Sequence, residues 1–125
     1  MTDKTDQINK TDTTDKADPT NTATDDIHAL LADLWQRHLP TLHDRLNILD
    51  RTAKEATSGN LPEPTREEAQ SIAHKLAGNL GMFGHSEAGD IASQMEQILK
   101  APTAQTLSEL SPLAQSLRQQ LAPNL

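Results

Sequence analysis

Thr65-Arg-Glu-Glu-Ala-Gln-Ser-Ile-Ala-His-Lys-Leu-Ala-Gly-Asn-Leu-Gly-Met-Phe-Gly84 decides how the rest of the chain is read. Its start, Thr65-x-x-Glu68, has the form of a capping box, so a helix is expected to begin there. On a wheel of about 100° per residue, Ile72, Leu76, Leu80 and Phe83 fall in one narrow sector, which is the expected buried stripe. His74 falls about 165° from the centre of that sector and so points outward. Gly78 and Gly81 lie near it, one and two turns on, and Ala77 borders the same patch. A glycine inside a helix costs roughly 1 kcal/mol relative to alanine. Two of them on an outer face add nothing to the molecule's own core. They make physical sense if another surface must come close to that face and reach the imidazole without side-chain clashes.

Working outward, every segment after the first two dozen residues has helical rather than alternating spacing. Asp25 or Asp26 can cap a first helix bearing Ile27, Leu30, Leu31 and Leu34. Pro40 is expected to interrupt it. A second helix from about Thr41 turns Leu42, Leu46, Leu49, Ala53 and Ala56 inward and stops at Gly59. The helix of residues 65–84 comes next and ends at Gly84. Ser86 is expected to cap a fourth, with Ala88, Ile91, Ala92, Met95, Ile98 and Leu99 inward. Pro102-Thr103 breaks the chain again, and a last helix holds Leu107, Leu110, Ala114, Leu117 and Leu121. Four long helices with short connections pack best as an antiparallel up-down four-helix bundle. The short extra N-terminal helix would cover one end. The expected organisation is a disordered tail over residues 1–24, rich in Thr, Asp, Lys and Asn, followed by a helical bundle over 25–123.

Composition narrows the functional classes. The 125 residues carry a formal charge of -7 and no cysteine. An acidic chain lacks the basic face of a nucleic-acid binder. Trp35 and Phe83 are its only Trp, Tyr or Phe residues, so there is no platform for stacking bases. No stretch approaches the roughly 20 apolar residues that cross a bilayer, and the N-terminus lacks a secretory core, so a cytoplasmic protein is expected. His28, His38, His43 and His85 show no pairing on one helix that would gather ligands around a metal ion. No paired carboxylates, phosphate-cradling loop or triad suggests an enzyme.

Histidine itself suits phosphoryl carriage. Its reference pKa of about 6.5 leaves much of it neutral and nucleophilic near pH 7. A ring nitrogen can attack an acyl phosphate and hold the phosphoryl group as a phosphoramidate. Transfer of this kind depends mainly on positioning and charge neutralisation. Lys75, next in the chain, is a candidate counter-charge for the phosphate.

The segment Ala73-His-Lys-Leu-Ala-Gly-Asn-Leu-Gly-Met-Phe-Gly84 resembles the signature of histidine phosphotransfer (HPt) domains. That signature has a histidine, an apolar residue two on, a glycine four on and another seven on: here His74, Leu76, Gly78 and Gly81. The likeness extends through Ile91-Ala-Ser-Gln-Met-Glu96 and, in helix layout, over about residues 26–121. It implies a four-helix bundle with the phosphorylated histidine exposed mid-helix. It further implies phosphoryl exchange with the receiver domain of a response regulator or hybrid histidine kinase, without kinase activity of its own. Magnesium would belong to the receiver, and the chain would hold no cofactor. Family members often set a Glu or Gln of the following helix against the imidazole, and the matching position is Glu96. A carboxylate there could take the Nδ1 proton and leave Nε2 to attack. Many members carry lysine three residues after the histidine. This chain has Ala77 there and its lysine at Lys75. The expected site is therefore His74, Lys75 and Glu96, with Gln70, Ala77, Gly78 and Gly81 as the docking surface of a monomer. A helical adaptor that binds a receiver or kinase without carrying phosphate is the competing reading.

Overall fold

The computed structural model describes residues 19–125, with side chains from Asp25 onward. It contains α1 (Pro19–Thr57), α2 (Glu63–Met82), α3 (Ser86–Lys100), a single turn α4 (Ala104–Leu107), α5 (Leu110–Leu121) and a closing 3-10 turn, Ala122–Asn124. There is no strand among the described residues, in keeping with the expected all-helical class. No helix of the described residues is long and apolar enough to cross a membrane.

The chain divides into two units between Arg37 and His38. Within the first, the helix carries Ile27, Leu30 and Leu34 on exposed surface, and Trp35 is buried. The expected tail over residues 1–24 falls partly here. Residues 1–18 lie outside the described residues, whereas 19–24 belong to α1. Asp25 and Asp26 are therefore inside the helix and cap nothing.

Pro40 lies inside α1 and does not end it, so the expected separate N-terminal helix is continuous with the second one. Proline deprives the carbonyl four residues earlier of its donor. That residue is Gln36, and both it and Pro40 are exposed. Water can replace the missing N–H there, and the cost that breaks a buried helix is largely avoided.

The second unit is the bundle. Leu42, Leu46 and Leu49 of α1 are fully buried, as are Leu76 and Leu80 of α2, Met95 and Leu99 of α3, and Leu110, Leu117 and Leu121 of α5. With Ala114 buried between Leu110 and Leu117, the spacings within these sets are three or four residues, which forms one apolar stripe per helix. Burying such side chains contributes on the order of 1.5–3 kcal/mol each. The helices α2 and α3 pack extensively on each other, and α3 also packs on α5. Arg118 of α5 donates to Asp50 Oδ2 at 2.5 Å and to Asn47 Oδ1 at 2.6 Å on α1, which ties α5 to α1.

Short connections make consecutive helices antiparallel. Gly59, at φ +81°, and Gly84, at φ +87°, occupy the left-handed region that ends a helix cleanly, as their positions predict. Three expected boundaries shift. The helix after the Pro-rich loop starts at Glu63 behind an extended Pro62, so Thr65 is inside it and no side chain caps it. The N-cap of α3 is His85, with Ser86 already helical. The last helix is split: a Thr103–Thr106 capping box starts the single turn α4, and α5 begins separately at Leu110. Leu107 thus belongs to α4 and is only half-buried.

Candidate functional site

The inward face of α2 sets its outward one. Ala69, Ile72, Ala73, Leu76 and Leu80 are buried, so the residues between them face solvent. His74 sits in the middle of that outer row with its side chain 74% exposed. Built Cβ atoms at Gly78 and Gly81 would meet nothing within 4 Å. The patch beside the imidazole is open, as the wheel predicts.

Glu96 reaches His74 from α3. Its Oε2 lies 2.9 Å from Nδ1 of the ring, and its own side chain is only 13% exposed. A carboxylate can only accept, so Nδ1 carries the hydrogen and donates. In the neutral ring that leaves Nε2 as the lone-pair nitrogen. Nδ1 faces the protein, and the nucleophilic atom is the one left for solvent and partners. A half-buried carboxylate bonded to an exposed imidazole orients the ring without covering it.

The pairing depends on how α2 and α3 approach each other. Gly89 on α3 is buried, and a Cβ built there would lie 3.2 Å from the carbonyl oxygen of Ala77 and 3.5 Å from the nitrogen of Gly81. The helices touch almost backbone to backbone at this point. Toward the other end, Arg66 spans the same two helices. Its Nη1 donates to the Leu99 carbonyl in the last turn of α3 at 2.7 Å, and to Gln70 Oε1 at 2.9 Å. Its other nitrogens hold both carboxylate oxygens of Glu63. The hydrogen bond from Arg66 holds the Glu63 carboxyl below the usual carboxylate range, and the same contact raises the guanidinium further.

Glu67, Gln70, Ser71, His74 and Glu96 line one shallow open concavity. The structure thus brings together three of the expected residues, His74, Glu96 and Gln70. Lys75 is exposed and takes part in no ion pair among the described residues, and nothing brings it to the ring. Ala77 is half-buried, and its carbonyl supports the α2–α3 contact as well as bordering the patch. Arg66 and Gly89 were not foreseen. Arg66, Gln70 and His74 recur at four-residue spacing, which puts them in one column of the helix and was available as a signal. Gly89 stands one residue after Ala88 and three before Ala92, inside a helix where glycine is unfavourable, which marks a close backbone approach. Among the described residues no cluster of three His, Asp or Glu side chains could hold a metal ion.

A family model described as the Hpt domain matches residues 26–123. Protein RcaC of Microchaete diplosiphon is 37% identical over 68 residues, which is 54% of this chain and 10% of that protein. The chain therefore matches only a small part of that relative's length. No solved structure matches.

Proposed function

The chain belongs to the Hpt domain family, whose members carry the phosphohistidine of two-component phosphorelays, and we propose that His74 is the residue phosphorylated here. The observation that carries this reading is the 2.9 Å bond from Nδ1 to Glu96 on a ring that stays 74% exposed.

The reaction follows from that bond. The Nε2 lone pair attacks the phosphorus of an aspartyl phosphate on a receiver domain. A P–N bond forms, the P–O bond to the aspartyl oxygen breaks, and that electron pair leaves with the aspartate carboxylate. The Nδ1 proton stays between ring and Glu96, and the carboxylate offsets the positive charge the ring acquires. Transfer back to another receiver is the same path reversed. The chain supplies nucleophile and orientation, and the receiver supplies the acyl phosphate together with the magnesium ion that screens it. It has no kinase activity of its own in this reading. The open strip at Gly78 and Gly81, with Gln70 and Ala77 at its edges, is where the receiver docks on a monomer. Lys75, exposed beside the histidine, adds positive charge near that surface.

The test is transfer from a phosphorylated receiver domain. The unmodified chain should acquire acid-labile, base-stable label, and His74→Gln should abolish it with helical content unchanged. Label that survives His74→Gln refutes the site. Binding without label on the unmodified chain favours the adaptor. Glu96→Ala should slow labelling roughly tenfold or more, the worth of a charge-assisted hydrogen bond.

A further inference from the structure

We propose that Gln70 is a phosphoryl ligand: its side-chain amide donates to the oxygens of the group carried on His74 Nε2, with Arg66 as the positioning residue. This rests on His74 being the phosphorylated residue.

Two observations carry it. The first is orientation. An amide side chain has one acceptor end and one donor end, and nothing in its shape distinguishes them. Here Arg66 Nη1, a pure donor, occupies the Oε1 end at 2.9 Å. The two hydrogens of Nε2 are therefore turned away from Arg66. Arg66 is itself held from several sides, by Glu63 and by the Leu99 carbonyl, and its side chain is only 16% exposed. The amide leans on a fixed support.

The second is place. Gln70 stands one turn before His74, so the two are neighbours on one helix face. Helical side chains lean toward the N-terminal end, which inclines the imidazole over the turn containing Gln70 and Ser71. Gln70 and His74 line the same open concavity. Glu96 and Glu67, its two acidic members, provide no donor for a phosphate. The charge-neutral Gln70 amide is suited to bind phosphoryl oxygens beside them.

A small phosphoryl donor separates this from docking. The full chain is phosphorylated with potassium phosphoramidate, with no receiver present. The half-life of the phosphohistidine and its phosphorus NMR resonance are then recorded. Donors on the equatorial oxygens hold electron density there and slow P–N cleavage. Gln70→Ala should shorten the half-life roughly threefold to tenfold, the range of one neutral hydrogen bond, and shift the resonance. Gln70→Glu should shorten it further, because it replaces donors by a like charge. Arg66→Met should move the half-life in the same direction by less. The double variant should then add little to Gln70→Ala, because the two act as one unit. An unchanged half-life and resonance in Gln70→Ala overturn the proposal and leave Gln70 a docking residue. An unchanged half-life in Arg66→Met removes the positioning role. Failure of the unmodified chain to take up phosphate at all counts against His74 instead, so the two readings fail differently.

Discussion

Two regions along α2 use glycine for opposite ends. Beside His74, Gly78 and Gly81 open onto empty space, and a Cβ would touch nothing. Where α2 meets α3, Gly89 faces the backbone of Ala77 and Gly81 at near-contact distance. The missing side chain lets a partner in at the first place and lets the protein close on itself at the second. The same composition therefore carries two physical meanings, and only the neighbours tell them apart. Gly81 takes part in both, since its backbone nitrogen supports the contact and its Cα hydrogens face outward.

The contrast is most exposed to failure at Gly89. Gly89→Val should destabilise the bundle by about 1–3 kcal/mol, the usual range for overpacking, because the atoms it meets belong to a helix backbone and cannot swing aside. Thermal unfolding followed by circular dichroism measures it, and an unchanged midpoint would dissolve the distinction. The opposite sign is expected next door. Gly78→Ala should raise stability by up to about 1 kcal/mol, since it gains helix propensity and meets no atom. Gly78→Gln should keep that stability yet slow transfer from a receiver, read as the initial labelling rate. Transfer at the normal rate would mean that the open strip serves no docking surface.

The smallest effect concerns the far end of α2. There the His38 ring stacks on Phe83 at 6.0 Å between centroids, and its Nε2 is buried without a hydrogen-bond partner. Burial first, and the charge of Arg45 second, lower its pKa below histidine's ordinary 6.5. The unfolded chain then binds the proton more readily than the folded one. Stability from this group is present above that value and is lost as pH falls through the lowered one. His38→Phe should flatten the acid limb of the stability–pH curve, measured by denaturant unfolding at a series of pH values. An equally steep limb would assign the acid sensitivity elsewhere.

The outward histidine and its bare surroundings were legible in the sequence, because each is a question of angle around one helix, whereas Glu96 on the following helix came from the resemblance to HPt domains. Helical periodicity is local and survives without knowledge of the neighbours. What was not legible depends on pairing. Arg66 bonds to a carbonyl thirty-three residues away. Gly89 matters only because α2 lies across it. Pro40 was expected to break a helix, yet solvent exposure of Gln36 makes the lost bond tolerable. Thr65 and Ser86 carry the residue types that favour caps, but Pro62 and His85 take the positions. Local preference there yielded to the way the chain leaves each turn.

The Arg66 bridge has a consequence for how such a site can be inherited. It clasps the start of α2 to the end of α3, and the Gly89 contact joins the same two helices farther along. His74 and Glu96 lie between these two fastenings. Every group that sets the ring's orientation therefore sits in one uninterrupted hairpin, Glu63 to Lys100. The rest of the bundle can drift in sequence, lengthen its loops or acquire new neighbours while the reactive pair keeps its spacing.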